Sequence, residues 1–333
     1  LERHGFLLND VLLRQNPHSV DDWLDRINLV RQSSGDQVES VVAAFEDSLR
    51  IVNPRKAAVS RLWIELANFL ESKEAYNEAR KVYQRACDWV QGDYGTVEDI
   101  STVFIAAAEF EFRREAVQDG LDLISSALSP GRMKTGNLAW DSLGRSLELW
   151  NFLIDSEEAR GTVYACEAAY ERLCQLRLAK PQHIINFAHF WEEVHADLDG
   201  AFKIYERGLE LFNYPIAFEI WNVYLPKFVK RYASSRLERT RDLFECALQG
   251  CPEKFAMHIY LMYGKVEEDY GLLRNALAIY RRGCSYVSVN DRPVLYNLLI
   301  NKTIESQGAF SARPIYEEAI KSLPFPASLP FAL

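Results

Sequence analysis

One amphipathic pattern, ARKVYQRACDWV at residues 79–90, recurs along the 333-residue chain. Near copies are AFKIYERGLELF at 201–212, ALAIYRRGCSYV at 276–287 and ARPIYEEAIKSL at 312–323. The large residue of the pattern forms a column with gaps of 35 to 46 residues: Phe45, Tyr83, Ile124, Tyr170, Tyr205, Phe244, Tyr280 and Tyr316. Self-similarity at such a period is typical of helical repeat proteins, in which each unit buries its apolar face against the next.

Small residues flank this column on the same face of the predicted helix. The positions four before and three after the large residue share one side of an α-helix. Most of them are small, as Ala79 and Ala86 are around Tyr83. Small residues let a neighbouring helix approach closely, and the large ring fills the space between them.

A second column of large residues lies 20 to 23 positions earlier and marks a first helix in each unit. Its members are Trp23, Trp63, Phe104, Trp150, Ile184, Trp221, Tyr260 and Tyr296. Prolines fall a few residues before many of these helices, where proline can begin a helix but cannot continue one. The predicted structural core is Trp63, Ala79, Tyr83, Ala86, Trp150, Tyr170, Ala201, Tyr205, Trp221, Phe244, Ala276, Tyr280, Ala312 and Tyr316.

These patterns predict an all-α fold, a right-handed α-solenoid of about eight helix–turn–helix repeats that forms one domain over residues 1–333. The predicted repeats cover 16–50, 60–90, 97–128, 146–176, 181–212, 216–250, 255–287 and 292–323. We expect residues 6–15 to be the second helix of a truncated unit. The irregular link at 129–145 is either a surface loop or a bend between two sub-arrays. The tail at 324–333 is either disordered or packed against a neighbouring element.

Composition and charge limit the possible functions. The net charge of −9 disfavours a general nucleic-acid coat, because contacts to phosphate would need a local basic patch. No apolar run is long enough for a membrane span. The six cysteines lie in helical stretches and form no C-x-x-C pair, so we expect neither a disulfide framework nor a metal site. A reducing compartment, cytosol or nucleus, fits such thiols best.

The pattern of ionisable residues does not indicate catalysis. Paired carboxylates such as Glu157 and Glu158 end the first helix in repeat after repeat, whereas a catalytic pair would occur once. His183, His189 and His195 are six residues apart, not the four of a zinc-binding helix. The chain contains no nucleotide-binding or nucleophile motif. We therefore expect no enzyme activity, no cofactor and no small-molecule substrate.

The candidate binding site is the basic stretch KFVKRYASSRLERTR at 227–241, which contrasts with the acidic chain around it. It straddles the predicted turn of the sixth repeat. It is either a site for RNA phosphates or an acidic protein partner, or a solvated turn neutralised by Glu238 and Asp242. No ladder of aromatic residues accompanies it, which favours a protein partner or contact with the RNA backbone alone. The candidate partner- or RNA-binding residues are Lys227, Lys230, Arg231, Arg236, Arg239 and Arg241.

The second-helix pattern resembles that of the HAT (half-a-TPR) repeat, A-x-x-[IV]-[YF]-E-R-[AG]. It occurs here as ARKVYQRA, AFKIYERG, RDLFECA, ALAIYRRG and ARPIYEEA. Longer stretches, LLRQNPHSVDDW (12–23), LRLAKPQHIINFAHFWEE (176–193) and most of 205–256, are similar to the Syf-one / XPA-binding-protein-two family of pre-mRNA splicing factors. The similarity is specific because it includes the loops between repeats.

This resemblance implies a non-enzymatic nuclear scaffold that binds other proteins of the Nineteen complex and the spliceosome and so supports pre-mRNA splicing. It implies no membrane association and no catalytic residues. Because family members are longer at both ends, we expect the chain to be a middle segment. Two alternatives stay open. One is RNA contact through the basic 227–241 patch. The other is a general TPR-like peptide-binding module, which the variable period disfavours.

Overall fold

The computed structural model describes residues 2–35, 37–89, 96–129 and 142–332. Every regular element among these residues is helical, and none of them forms a strand. The prediction of an all-α helical repeat fold is therefore confirmed.

The helices follow one another with short turns between most of them, and we number them in chain order. They are α1 (Glu2–Gln15), α2 (Val20–Ser34), α3 (Val38–Ile51), α4 (Ser60–Ser72), α5 (Tyr76–Trp89), α6 (Val97–Arg113), α7 (Val117–Leu128), α8 (Leu147–Arg160), α9 (Val163–Gln175), α10 (Pro181–His195), α11 (Leu198–Leu211), α12 (Ala217–Tyr232), α13 (Leu237–Leu248), α14 (Glu253–Tyr270), α15 (Leu273–Tyr286), α16 (Arg292–Gln307), α17 (Ala309–Ser322) and α18 (Leu329–Ala332). A 3₁₀ helix, Leu143–Arg145, precedes α8. The helices from α2 to α17 form eight consecutive pairs, which we call repeats one to eight; even-numbered helices are the first helices.

Capping side chains determine where several helices begin. The side-chain oxygen of Ser19 accepts the backbone N–H of Asp22 at the start of α2, and Thr96 does the same for Asp99 at the start of α6. Thr162 caps α9 in the same way. Each bond satisfies an N–H group that has no partner within its own helix. The boundaries of these helices are thus specified by local sequence.

The helices belong to two compact units, which we describe separately. Unit 1 covers residues 1–178 and contains α1 to α9, and unit 2 covers residues 179–333 and contains α10 to α18. The prediction of one domain over residues 1–333 stays a prediction. Of the predicted link at 129–145, residues 130–141 lie outside the described residues.

Thirteen of the fourteen predicted core residues are buried. Tyr205, Phe244 and Ala276 have no exposed surface at all. The fourteenth, Tyr316 in α17, is partly exposed.

Small residues of a second helix lie against the large residue of the first helix in the same repeat. A Cβ atom at Gly208 would lie 2.5 Å from Cγ2 of Ile184. A Cβ atom at Gly283 would lie 3.1 Å from the ring of Tyr260. The small residues of the second helix therefore permit the two helices of a pair to touch.

The large ring of a second helix packs against the first helix of the following repeat. The ring centroids of Tyr205 and Tyr224 are 5.3 Å apart, and those of Phe244 and Tyr263 are 4.9 Å apart. Both pairs of rings are stacked. Burying a side chain of this size contributes roughly 1.5–3 kcal/mol, and the ring pair adds to it. Each of these two rings thus joins one repeat to the next.

The two ends of the chain add to the predicted repeats. Helix α1 begins at Glu2, so it is longer than the predicted 6–15. In the tail, the side chain of Phe331 is buried, and its ring centroid lies 6.2 Å from that of Tyr296 and 6.5 Å from that of Tyr316. Of the two alternatives for the tail, the structure shows packing against the neighbouring repeat.

We expect Gly264→Ala to destabilise unit 2 by roughly 1–3 kcal/mol, because the added methyl group would overlap the ring of Tyr280. A Cβ atom at position 264 would lie 2.1 Å from that ring. Alanine stabilises a helix by about 1 kcal/mol relative to glycine, so a net loss of stability in this variant can come only from lost packing. Thermal unfolding followed by circular dichroism measures the effect. Lys265→Ala, at the next and exposed position of α14, is the control. A variant as stable as the wild type would contradict the packing described here.

Candidate interaction surface at the turn of repeat six

The basic stretch 227–241 spans the end of α12, a short turn and the start of α13. The structure divides its six cations into two groups. Lys227 and Arg241 are partly buried and form ion pairs with glutamates of other repeats. The other four are exposed: Lys230, Arg231, Arg236 and Arg239.

Arg241 joins repeat six to repeat seven. Its Nε and Nη2 atoms donate to the two carboxylate oxygens of Glu267 in α14, at 2.5 and 2.8 Å. The Glu267 side chain is 1% exposed, so the carboxylate of this bidentate pair is buried. These hydrogen bonds lower the pKa of Glu267 below its ordinary value of 4.5. Nη1 of Arg241 also donates to the exposed Glu238 at 2.6 Å.

Lys227 joins repeat six to repeat five. Its Nζ atom lies 2.8 and 2.7 Å from the carboxylate oxygens of Glu192 in α10. It also lies 5.8 Å from the centroid of the Tyr205 ring. Lys227 and Arg241 therefore stabilise contacts between repeats, and the exposed part of the candidate site consists of the other four cations.

Three of the exposed cations surround one tyrosine. The guanidinium carbons of Arg231, Arg236 and Arg239 lie 5.9, 5.0 and 5.9 Å from the centroid of the Tyr232 ring. The ring itself is buried, and its hydroxyl donates to Asp199 at the start of α11. Cation–π contacts of this kind hold the arginines in place while the side chains stay exposed.

Neighbouring carboxylates neutralise this surface only in part. The closest atoms of Arg239 and Glu206 are 3.9 Å apart, at the limit of an ion pair. Among the side chains that the structure describes, no ion pair involves Lys230, Arg231 or Arg236. The turn of repeat six is thus a local positive surface on an acidic chain.

An arginine–glutamate pair recurs where a second helix meets the next first helix. In unit 1, Arg80 of α5 donates two hydrogen bonds to Glu111 of α6, one of them 2.7 Å long. Arg80 and Arg241 both lie three residues before the large residue of their second helix. Glu111 and Glu267 both lie seven residues after the large residue of their first helix. The same contact is therefore made at two different repeat junctions.

The carboxylate one residue later makes a different set of contacts. Glu268 accepts the hydroxyl of Tyr280 in its own repeat at 2.9 Å and lies 2.9 Å from Nζ of Lys302 in repeat eight. In unit 1, Glu71 lies 2.8 Å from Nη2 of Arg113 in the following repeat. At the junctions of repeat seven, both members of the acid pair Glu267 and Glu268 thus bind residues of other helices.

Glu157 in α8 has the position of Glu111 and Glu267 without the matching cation. The residue that corresponds to Arg80 is Leu121 in α7. Glu157 is buried, and its Oε2 atom has no hydrogen-bond partner among the described residues. Burial raises the pKa of Glu157 above its ordinary value of 4.5; a hydrogen bond from the backbone N–H of Thr162 offsets part of this rise, and the charge of Asp122 adds to it. The junction of repeats three and four thus contains a poorly compensated acid.

The histidines considered as metal ligands have other contacts. Nδ1 of His183 accepts the N–H of the N-cap residue of α10 at 2.8 Å. The ring of His195 lies 4.3 Å from that of Trp191, and Nδ1 of His189 lies 3.5 Å from a carboxylate oxygen one turn away. Across residues 2–35, 37–89, 96–129 and 142–332, no three or more His, Cys, Asp or Glu side chains are grouped to hold a metal ion. Over the same ranges, none of the helices has the length and apolar character needed to cross a bilayer.

Paired helices with recurrent aromatic, small and acidic positions define a helical repeat protein. Family comparison identifies the type of repeat. Residues 54–330 match the C-terminal HAT repeat of the pre-mRNA-splicing factors Syf1/CRNKL1, and residues 1–52 match the middle HAT repeat of pre-mRNA-splicing factor SYF1. The chain belongs to this family of HAT-repeat proteins, which confirms the resemblance seen in the repeats and their loops.

Curated relatives agree with this assignment. The chain is 38% identical over 331 residues to the pre-mRNA-splicing factor syf1 homolog of Drosophila melanogaster and to the pre-mRNA-splicing factor cwf3 of Schizosaccharomyces pombe. It is 36% identical over 330 residues to the pre-mRNA-splicing factor SYF1 of Homo sapiens. These alignments cover 97% of this chain but 37%, 41% and 38% of the three relatives. The chain thus spans about two fifths of the length of the relatives it matches.

We expect Glu267→Gln to destabilise unit 2 by roughly 2–3 kcal/mol at pH 7, because Arg241 would lose a buried, charged partner. Since the pKa of Glu267 is lowered in the folded protein, its contribution is present above the ordinary value of 4.5 and is lost as the pH falls below it. Urea unfolding at pH 7 and pH 3 should therefore show a smaller difference from the wild type at pH 3.

Glu238→Gln is the matched control, because Glu238 bonds the same arginine but its side chain is 82% exposed. An exposed pair of this kind contributes at most about 1 kcal/mol. Equal losses in the two variants would mean that the burial of Glu267 does not strengthen its pairing.

Glu157→Gln should have the opposite effect and stabilise unit 1 by roughly 1 kcal/mol at pH 7. The pKa of Glu157 is raised in the folded protein, so the wild type loses stability as the pH rises above 4.5. The neutral amide of the glutamine avoids that loss. The extra stability of the variant over the wild type should therefore vanish near pH 4. Unfolding midpoints at the two pH values test this. A variant less stable than the wild type at pH 7 would show that Glu157 is stabilised by its charge.

Proposed function

We propose that this chain is a non-enzymatic part of a nuclear scaffold that supports pre-mRNA splicing by binding other splicing proteins. The relatives with the same repeats are named as pre-mRNA-splicing factors, which supports the same process here. The observation that best supports a scaffold role is the repeat architecture itself. Helical repeats present long, continuous surfaces that suit extended partners.

The contacts within the repeats support binding over catalysis. Carboxylates with perturbed pKa values, such as Glu157 and Glu267, lie at junctions between helices. The tyrosine hydroxyls of Tyr170 and Tyr280 bond glutamates of their own repeats. These groups are occupied by packing, so recognition falls to the residues that stacking leaves exposed.

The four exposed cations of repeat six support a second candidate function, contact with the RNA backbone. Lysine and arginine that neutralise phosphates release counterions, so such binding would weaken steeply with salt. The net charge of −9 acts against it, because the mean field of the chain repels phosphate. We therefore place protein binding first.

Removal of the native protein from nuclear extract should abolish splicing of a reporter pre-mRNA. Adding back the purified native protein should restore it. Adding back a version with residues 54–330 replaced by an unrelated helical repeat should not, because the partner-binding surfaces would be missing. Gel analysis of spliced product measures the outcome. Undiminished splicing in the depleted extract would overturn the proposed function.

A further inference from the structure

The turns between the first and second helices of repeats six, seven and eight lie in a row along one edge of unit 2. Two contacts fix this order. Glu267, near the end of α14, binds Arg241 of repeat six and also accepts the backbone N–H of Leu272 in the turn of repeat seven. Glu268, the next residue, binds Lys302 near the end of α16 in repeat eight at 2.9 Å. The three turns are therefore neighbours in space.

The turns of repeats seven and eight expose large apolar side chains. Leu272 is 57% exposed, and Phe310, at the start of α17, is 95% exposed. Single exposed apolar residues are common on protein surfaces, but a group of exposed apolar residues on neighbouring turns indicates a binding surface. The exposed apolar residues of these two turns are Tyr270, Leu272, Leu273, Ile304 and Phe310.

We propose that this turn edge binds a short peptide segment of a protein partner that is acidic at one end and apolar at the other. The turn edge is defined as the four exposed cations of repeat six together with the five apolar residues of repeats seven and eight. The proposal rests on the proposed function and specifies the chemistry of one partner. Arginine binds carboxylate through two parallel hydrogen bonds, and the apolar side chains would be removed from water on binding.

The distribution of charge sets the direction of the peptide. Four exposed cations lie together at repeat six, whereas the exposed charges beside the apolar residues are mixed: Asp269 and Arg274 at repeat seven and Glu305 at repeat eight. Positive charge is concentrated at repeat six, so the acidic end of the peptide belongs there and the apolar end at repeats seven and eight. Two helices lie between one turn and the next, and neighbouring helices pack about 10 Å apart, so three turns span between about 20 and 40 Å. An extended peptide covers that distance in about six to twelve residues.

The same features disfavour RNA at this edge. Single-stranded nucleic acid binds where cations follow the backbone and aromatic faces stack on the bases. Here four exposed cations lie at the turn of repeat six and a fifth, Arg274, lies at the turn of repeat seven, while the aromatic ring among the first four, Tyr232, is buried. Beyond the turn of repeat six, the exposed charges are of both signs, with Asp269 and Arg274 at repeat seven and Glu305 at repeat eight. A phosphate chain that followed the edge would find no continuous line of cations after its first contacts.

Selection from a library of random twelve-residue peptides displayed on phage tests the proposal. We expect the enriched peptides to contain a cluster of Asp and Glu next to Leu, Phe or another large apolar residue. The best peptide, synthesised with a fluorescent label, then gives a Kd with the whole chain by fluorescence anisotropy. Arg236→Glu with Arg239→Glu should weaken binding at least tenfold. Leu272→Ser with Phe310→Ser should do the same.

Lys321→Glu and Val289→Ser are the matched controls, because both residues are exposed and lie away from these turns. They should leave the Kd within twofold of the wild-type value. The altered residues of the turn edge are exposed, so the melting temperatures of all variants should match the wild type. If a double variant melts at a lower temperature than the wild type, its two single variants are measured instead, and their Kd values are compared with that of the wild type.

Three outcomes would overturn the proposal. The first is that no peptide is enriched, or that the enriched peptides lack acidic residues. The second is that they bind the edge variants as tightly as the wild type. The third is that a labelled oligouridylate binds the chain and loses affinity in Arg236→Glu with Arg239→Glu while no peptide is selected, which would assign the surface to RNA. Any of these outcomes would disprove peptide binding at the turn edge. If splicing is nevertheless lost in the depleted extract, the proposed scaffold function still holds.

Discussion

The stacking of an aromatic ring from a second helix onto the first helix of the next repeat, as at Tyr205 and Phe244, is the contact on which the rest of the structure depends. In unit 2, Tyr205 meets Tyr224 and Phe244 meets Tyr263. Such a ring can reach the next repeat only if the helices of its own pair are close together. The small residues, such as Gly208, permit that approach. Size, not polarity, therefore sets the spacing of the repeats, and a single methyl group in the wrong place is costly.

Ion pairs between repeats add to this packing without being required for it. Arg241 and Glu267 form such a pair at one junction, whereas at the junction of repeats three and four Leu121 has the sequence position of the arginine and Glu157 that of the glutamate. The helices still pack there, although the buried acid is poorly compensated. A buried pair often contributes little net stability over apolar residues, but it penalises a helix that packs in the wrong register. We infer that the arginine–glutamate pairs mainly fix how adjacent helices align.

The repeated columns could be predicted from sequence because stacking imposes the same sizes at the same spacing. The separation of the six basic residues of 227–241 into two that pair with other repeats and four that stay exposed could not be predicted from sequence. Whether Lys227 points to solvent or to Glu192 depends on helices 35 residues apart in sequence, and the pattern of charges is the same in both cases. The exposure of Phe310 is likewise not predictable from sequence, because an apolar residue at the start of a helix is as compatible with the core as with the surface. Only the packed structure shows that its neighbours leave it uncovered.

This division of roles explains how one repeat can be copied while its partners differ. The inward positions are constrained by the ring and the small residues, and the ends of the first helices by the ion pairs. The turns between the helices of a pair are free of both constraints, so their composition can change from repeat to repeat: basic at repeat six, apolar at repeats seven and eight. Because stacking holds these turns at a regular spacing, their side chains form a linear series. A binding edge can therefore evolve one turn at a time without disturbing the stack.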